Sequence, residues 1–288
     1  MTKRSVLKAL LKCIPDKIYI QLQYHRNTGR WVHFNNPKRY NEKLQWIKLY
    51  DRKAVYTALA DKVQVKQIVT KMLGEQYVIP ILAVWDSAKD IDVSLLPDQF
   101  VLKTNHDSKG VMICRNKKNF DLDCARRFFD ERLRKSGYEY GREWPYKNIP
   151  RKVFAESYIE DESGGLMDYK VMCFNGQPKL IQFHQGRNTD HYYQNFYDTN
   201  WNMKSINQVG ETPSPVLAKK PDFLAEMLTL SAKLSVGIPH VRVDWYHANG
   251  QLYFGEMTFF DASGYLDFIP DEWNEEIGSW IQLPKRRQ

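Results

Sequence analysis

Cysteine is scarce in this sequence, and its arrangement excludes two common structural devices. The four cysteines are far apart, and no two of them have CxxC spacing: Cys13, Cys114, Cys124 and Cys173. A disulfide framework or a zinc site needs clustered or regularly spaced cysteines. We therefore expect reduced thiols in a cytoplasmic protein.

Long apolar runs are missing as well. A helix that crosses a bilayer needs about 20 consecutive apolar residues, and no such run occurs. The apolar piece at 6–14 is short, contains Lys8 and Lys12 and lacks a small-residue cleavage site, so it makes a poor signal peptide. Residues 4–13 have a leucine-rich side and a basic side, which suits packing on the rest of the protein and also peripheral contact with the inner membrane face.

The basic residues do not form one long run, although they outnumber the acidic ones. The chain has 42 basic and 34 acidic residues, a net charge of +8. This excess favours anionic partners such as nucleotides, acidic sugars or anionic lipid, without choosing among them. Because the basic residues are scattered, a non-catalytic protein that binds nucleotides or polyanions is the weakest functional class, and no specific nucleic-acid partner is predicted.

The most informative stretch is residues 240–258. Apolar and polar residues alternate on both sides of an Asn-Gly pair at 249–250, which is the pattern of a β-hairpin. The two strands would carry Asp244 and Glu256 as neighbours. Paired carboxylates repel unless a cation lies between them, and Mg²⁺ with a phosphate is one such cation. A structural ion pair with Arg242 is the alternative.

A second hairpin is predicted upstream, from strands at 100–103 and 111–114. The polar loop between them, at 104–110, follows Lys103 directly and contains a single glycine. It is therefore not a glycine-rich phosphate cradle. A lysine at a strand end beside such a loop suits a phosphate grip, and an ordinary hairpin is the alternative.

The rest of the chain alternates helices with short strands and lacks the βαβ rhythm of a parallel sheet. Helical spacing predicts helices at 40–73, 120–135, 222–236 and 271–281. Strand patterns occur at 153–159, 168–174 and 178–183, whereas 184–215 resembles a long polar and aromatic loop. Antiparallel hairpins with helices between them indicate an α+β chain in two lobes.

The order of these features resembles the ATP-grasp superfamily, the carboxylate–amine ligases typified by D-alanine–D-alanine ligase. The features that carry the resemblance are, in order, Lys62, Lys103 with its loop, the strand of Glu156, Asp168, Arg242-x-Asp244 and Glu256-x-Thr258. The chain is most similar to the TupA-like branch, named for teichuronopeptide biosynthesis, over residues 55–268 and in the segment 40–51.

The resemblance implies an ATP-grasp fold in which two α+β lobes grip ATP between antiparallel sheets. It divides the chain into a helical N-terminal segment at 1–60, a first lobe with a phosphate lid at 61–150, and a second lobe with a metal site at 151–288. ATP and Mg²⁺ are the implied cofactors.

The resemblance also assigns residues to ATP. Two lysines would contact the phosphates, a loop would close over them, the backbone of an interlobe segment would recognise the adenine, and an acidic residue would bind the ribose. In that order the residues are Lys62 and Lys103; Asn105, Ser108, Lys109 and Gly110; Glu156, Ser157, Tyr158 and Ile159; and Asp168.

The remaining implied roles concern the metal and the reacting groups. Asp244 and Glu256 would bind magnesium with Thr258, which stands where the family usually has asparagine. Arg242 would steady the acyl phosphate. Further residues could hold the acid or the amine substrate: Lys170, Arg187 and His191.

The function implied by the resemblance is an ADP-forming ligase that joins an amino acid or other amine to a sugar acid of a bacterial surface polysaccharide. The acceptor would be a small molecule or lipid-linked, and the aromatic residues at 184–201 suit stacking on sugar rings. The alternative enzyme is a glycosyltransferase of capsule or O-antigen assembly. Its carboxylate pair would have to be Asp121 and Asp123, which begin a predicted helix instead of following a strand.

Overall fold

A computed structural model describes residues 13–160, 166–186 and 192–286 of the chain. The helices are α1 (Asp16–Thr28), α2 (Tyr40–Tyr50), α3 (Ala54–Ala60), α4 (Gln64–Leu73), α5 (Leu122–Leu133), α6 (Gly137–Gly141), α7 (Leu224–Ser235) and α8 (Glu272–Trp280). The strands are β1 (Ile81–Trp85), β2 (Phe100–Thr104), β3 (Val111–Cys114), β4 (Val153–Ser157), β5 (Met167–Phe174), β6 (Gln177–Gln185), β7 (Tyr193–Tyr197), β8 (Met203–Lys204), β9 (Asn207–Gln208), β10 (His240–Ala248), β11 (Gln251–Thr258) and β12 (Phe268–Ile269).

Six strands form the large sheet, in the order β11-β10-β5-β6-β7-β8, with antiparallel neighbours throughout. One face of this sheet is apolar and packs against α7. Val171, Val243 and Trp245 are fully buried there, and the indole of Trp245 donates a hydrogen bond to the Ser231 hydroxyl of α7 at 2.8 Å. Burial of this face supplies the main core, to which α2, α3 and α4 also contribute.

Four strands form the small sheet, in the order β1-β4-β2-β3, and α5 covers it around a second core. The division made from the sequence assigned the segment from residue 151 onward to the second lobe. In the structure β4 instead lies between β1 and β2, where Glu156 pairs with Val101 and Ile81. The strand is apolar enough to be central in this sheet, with both faces buried.

Residues 40–73 are mostly helical, as predicted, and form three helices. Asp51 ends α2, and Asp61 ends α3 and accepts a hydrogen bond from the Val63 amide at 2.9 Å. Aspartate side chains compete with the helix for backbone amides, which explains a break at 61–63. Gly74 ends α4 with φ at 114°, as its position predicts.

The structure confirms the predicted Asn-Gly hairpin turn at 249–250 and contains a second one between β5 and β6. Asn249 and Gly250 have φ of 50° and 78°, and the turn at 175–176 has φ of 52° and 82°. Two consecutive left-handed residues are what a two-residue hairpin turn requires. The loop prediction for 184–215 is wrong in part, because β7, β8 and β9 lie in it. These strands were missed because Gln194 and Asn195 are buried polar residues, so the usual alternation is absent.

No helix among the described residues is long and apolar enough to cross a membrane. Cys114 and Cys173 are buried, whereas Cys13 and Cys124 are exposed.

Candidate active site

The reactive face is the polar face of the large sheet, opposite α7. It carries Asp168 and Lys170 on β5, Arg242 and Asp244 on β10, and Glu256 and Thr258 on β11. Because side chains alternate along a strand, these residues share one face while their neighbours fill the core. The strand register places Asp244 directly between Lys170 on one side and Glu256 on the other. The register therefore brings Lys170, Asp244 and Glu256 into one row, and Arg242 pairs with Thr258 beside it on the same face.

A β-bulge at Gly255 is what places Glu256 in that row. Trp245 pairs with Phe254 on the core face, and Asp244 pairs with Glu256, so Gly255 is the extra residue. Strict alternation would have put Glu256 on the same face as Phe254, and one inserted residue moves it to the other. A Cβ at position 255 would lie only 3.1 Å from the Asp244 carbonyl oxygen, which favours glycine.

Arg242 is fixed by carboxylates on two sides. Its Nε and Nη2 donate to Asp244 Oδ1 and Oδ2 at 2.7 and 2.8 Å, and its Nη1 donates to Asp261. Nη2 also reaches the Thr258 hydroxyl at 3.3 Å. Burial alone would lower the pKa of this guanidinium, but the two carboxylates outweigh burial and raise it. Arg242 is thus a permanent, oriented cation.

Lys170 and Lys62 neutralise the other carboxylates of the face. Lys170 Nζ lies 2.7 Å from Asp244 Oδ2 and 3.0 Å from Asp168 Oδ2. Lys62 Nζ lies 3.2 Å from Glu256 Oε2. Burial acts to raise the pKa of Glu256, but Lys62, Lys170 and Arg242 hold it well below its ordinary value. Glu256 is therefore ionised and can serve as an oxygen ligand.

Glu156, on β4 of the small sheet, forms ion pairs with two lysines. Its carboxylate is 2.6 Å from Lys66 Nζ and also pairs with Lys103 Nζ, and Lys66 donates in addition to the Ile79 carbonyl at 2.7 Å. Burial would raise the pKa of Glu156, yet the two ammonium groups outweigh burial and lower it. The predicted contact with adenine uses the backbone from Glu156 to Ile159, so it stays compatible with this use of the side chain. Ser157, Tyr158 and Ile159 are half-buried at the end of β4.

The predicted lid, from Asn105 to Val111, is anchored at Asn105 and at Asp107. Asn105 is fully buried: its amide donates to Asp61 Oδ1 at 3.0 Å and to the Pro150 carbonyl at 2.9 Å, and it accepts from the Lys152 amide at 2.8 Å. The structure therefore uses the Asn105 side chain to anchor the loop. Lys62 donates to the loop at the Asp107 carbonyl, at 2.7 Å.

The tip of the lid contrasts with its anchor. Ser108 and Lys109 are exposed, and Lys109 has φ of 67°. Gly110 is buried, and a Cβ there would overlap the Thr104 hydroxyl. Ser108 and Lys109 are therefore the lid residues exposed to an incoming nucleotide. Their contact with the phosphates stays a prediction.

The donor set suits magnesium that arrives with phosphate. Among the described residues, no group of three or more His, Cys, Asp or Glu side chains could hold a metal by itself. Asp244 and Glu256 supply two carboxylates, and the Thr258 hydroxyl donates to Glu256 Oε1 at 3.2 Å. Mg²⁺ in proteins commonly takes one or two carboxylates and completes its shell with water and substrate phosphates. The residues fit that ion.

Sequence reasoning missed three residues of this network: Lys66, Asp261 and Gln208. Lys66 lies on the buried stripe of α4 between Val65 and Val69, a position where a lysine needs a partner. Asp261 follows β11 in a turn whose next two residues have left-handed φ, and no sequence pattern marks it. Arg187 and His191 lie outside the described residues.

Asp121 and Asp123, the carboxylate pair that a glycosyltransferase would need, lie at the N-terminus of α5. The Asp121 carboxylate accepts a hydrogen bond from the Cys124 amide at 2.8 Å and caps α5, while Asp123 is exposed on its first turn.

The paired carboxylates, the arginine and the lysines held between two antiparallel sheets define an ATP-grasp fold. Residues 42–282 match the family described as TupA-like ATPgrasp, and the chain belongs to that family. The resemblance predicted from the sequence is thereby confirmed. None of the curated proteins matches the chain.

Solved structures similar to this chain are ATP-grasp enzymes at low identity. D-alanine–D-alanine ligase from Bacillus anthracis complexed with ATP is 16% identical with a TM-score of 0.43, over 70% of this chain and 55% of that one. The Helicobacter pylori enzyme is 16% identical with a TM-score of 0.42, over 78% and 61%. The ATP-grasp ligase PsnB, complexed with minimal precursor, Mg and ADP, is 10% identical with a TM-score of 0.41, over 76% and 57%. The chain therefore spans a little over half the length of these structures.

Proposed function

We propose that this protein is an ATP-dependent carboxylate–amine ligase that forms ADP and acts through an acyl phosphate. The observation that carries the proposal is the row Lys170, Asp244 and Glu256, with Arg242 and Lys62 in contact with it. Such a row can balance nucleotide phosphates, a metal and a carboxylate substrate at once. Few other reactions need all three in one place.

The first step transfers the γ-phosphoryl group of ATP to the carboxylate of the acid, and ADP leaves. Two anions must approach each other, so positioning and neutralisation are the main catalytic tasks. Lys62, in the turn between α3 and α4, and Lys103, on β2, would bind phosphate oxygens. Mg²⁺, held by Asp244 and Glu256 with Thr258, would supply the remaining neutralisation.

Arg242 would serve the second step, in which the amine attacks the acyl carbon and phosphate leaves. The carbonyl oxygen gains negative charge at that moment, and a preoriented guanidinium stabilises it. Its two carboxylate partners fix the plane of Arg242 before any substrate arrives. Lys170 and Arg187 are proposed to hold the acid, and Asp168 the ribose.

The proposed acid is a sugar acid of a bacterial surface polysaccharide, small or lipid-linked, and the proposed amine is an amino acid or another primary amine. The TupA-like membership supports this choice, as does the net charge of +8, which suits anionic acceptors. The enzyme would then act in the cytoplasm, with peripheral contact at the inner membrane face where a lipid-linked acceptor is presented.

The proposal is tested by a screen of ADP release. D-glucuronate, D-galacturonate and polygalacturonate are combined with a panel of amino acids and simple amines, in the presence of ATP and Mg²⁺. We expect ADP release that requires both an acid and an amine, and amide formation that mass spectrometry detects. Thermal stabilisation by UDP-sugars, with none by ATP and Mg²⁺, would overturn the proposal in favour of a glycosyltransferase.

A further inference from the structure

Three glutamines form a buried amide cluster beside Arg242. Gln208 Nε2 donates to Asp261 Oδ2 at 2.9 Å, and Gln208 Oε1 accepts from Gln182 Nε2 at 2.9 Å and from Gln194 Nε2 at 3.0 Å. The glutamines are at most 4% exposed. Since Asp261 also pairs with Arg242, the amide cluster is continuous with the reactive face.

Asp261 fixes the orientation of the three amides. An ionised carboxylate can only accept hydrogen bonds, so Gln208 must turn its nitrogen toward Asp261 and its oxygen away. Gln182 and Gln194 must then turn their nitrogens toward that oxygen. Their own carbonyl oxygens are consequently directed away from the cluster, as hydrogen-bond acceptors.

One of these acceptors is unpaired. Gln182 Oε1 is buried and has no hydrogen-bond partner among residues 13–160, 166–186 and 192–286. A buried acceptor without a donor is costly, and such a group in a folded protein needs an explanation. Gln182 is the strand neighbour of Lys170, so the amide cluster adjoins the residue proposed to hold the acid.

Gln182 extends the row of the reactive face. Lys170 lies between Gln182 and Asp244, and Asp244 lies between Lys170 and Glu256. Asp244 and Glu256 suit the metal and phosphates at one end of this row, and the amide cluster lies at the other end. The unpaired oxygen of Gln182 can accept an N–H that an amine substrate offers.

We propose that the amide cluster is the amine subsite: Gln182 Oε1 accepts an N–H of the amine substrate, and Gln194 and Gln208 hold Gln182 in orientation. The inference rests on the proposed ligase function. As the amine nitrogen bonds to the acyl carbon, the bond from that carbon to the phosphate oxygen breaks. The phosphate leaves with the electron pair and accepts the proton that the amine loses.

The test replaces Gln182 with methionine, which has a similar shape and no strong acceptor. The matched control is Gln177→Met, an exposed glutamine at the start of the same strand. ADP release is measured with D-glucuronate or D-galacturonate as the acid. Amino acids and ethanolamine serve as amines, and hydroxylamine at high concentration serves as a minimal amine that traps the acyl phosphate.

We expect Gln182→Met to raise the KM for the amine about tenfold, the equivalent of one hydrogen bond, while the KM values for ATP and the acid stay unchanged. ADP release with hydroxylamine should persist, which shows that the variant folds and activates the acid. Gln194→Met should shift the amine KM in the same direction by a smaller factor, because it removes one of the two hydrogen bonds that orient the Gln208 amide.

Different failures are distinguishable. A rise in the KM for the acid alone would show that the amide cluster binds sugar hydroxyls, and unchanged KM values would show that it is structural. Either result overturns the amine subsite and leaves the ligase function intact. Wild-type protein that releases no ADP with either acid and hydroxylamine would overturn the ligase function, and the subsite with it.

Discussion

Replacing Glu156 with glutamine should strongly lower the unfolding free energy of the protein. The side chains of Glu156 and Lys66 are only 4% and 5% exposed, and that of Lys103 is 20% exposed. The change leaves two largely buried ammonium groups facing a neutral amide. Removal of one partner of a buried ion pair typically costs about 3–5 kcal/mol of unfolding free energy, and we expect a loss in this range near neutral pH.

The pH dependence provides a sharper check. Burial lowers the pKa of Lys66 and Glu156 raises it again, so the variant's Lys66 should lose its proton more easily. A deprotonated lysine needs no counter-charge; the stability difference from wild type should therefore narrow as the pH rises toward the ordinary lysine pKa of 10.5. The folded pKa of Glu156 is lowered, so the stability that its charge contributes is complete above its ordinary value of 4.5 and is lost as the pH falls through the lowered pKa.

Urea denaturation followed by tryptophan fluorescence, at acidic, neutral and alkaline pH, measures this free energy. Glu131→Gln, at an exposed position on α5, is the control and should match wild type. Adding Lys66→Met to Glu156→Gln should recover part of the lost unfolding free energy, since it removes one buried ammonium group that has no carboxylate partner. A loss below about 1 kcal/mol, the range of surface ion pairs, would refute the reasoning.

Three further predictions concern the metal site and the core. Asp244→Asn and Glu256→Gln should each lower the rate of ADP release at least about a hundredfold, whereas Asp123→Asn should leave it unchanged. If the two variants released ADP at the wild-type rate, neither carboxylate would be a metal ligand. Thr258→Asn should retain activity, whereas Thr258→Val should raise the Mg²⁺ concentration needed for half-maximal ADP release. An unchanged Mg²⁺ requirement in Thr258→Val would show that the hydroxyl is not a metal ligand. Burial lowers the pKa of His240 to about 4, so wild-type stability should fall as the pH drops from the ordinary value of 6.5 toward that value, and urea denaturation of His240→Gln should show a flatter profile.

The main hairpin shows how far the sequence predicts this site. The Asn-Gly turn and the alternation before it correctly predicted two paired strands with Asp244 beside Glu256. The alternation along β11, however, would have placed Glu256 with Phe254 on the core face. Only the bulge at Gly255 reverses this, and an isolated glycine in a strand does not reveal whether a bulge is present.

Asp261 marks the limit of prediction more clearly. It reaches Arg242 because the turn at 261–264 holds Ala262 and Ser263 in left-handed conformations. That turn is fixed from a distant segment, where Gln45 and Lys48 donate to the Ser263 carbonyl at 3.2 and 2.7 Å. Such a contact links residues more than 200 positions apart, so local pattern cannot predict it. The position of Lys103, near the end of β2 beside the loop at 104–110, could be predicted because the strand and the loop are adjacent in sequence.

Four cations of the described part of the site pair with carboxylates, and these pairs have a consequence for how ligands bind. The pairs are Lys62 with Glu256, Lys103 with Glu156, Lys170 with Asp244, and Arg242 with both Asp244 and Asp261. A phosphate that recruits a lysine leaves a carboxylate without its counter-charge, and a divalent ion that recruits a carboxylate releases a lysine. Either ligand alone thus creates the imbalance that the other relieves, so nucleotide and magnesium should bind with positive thermodynamic linkage, each increasing the affinity for the other.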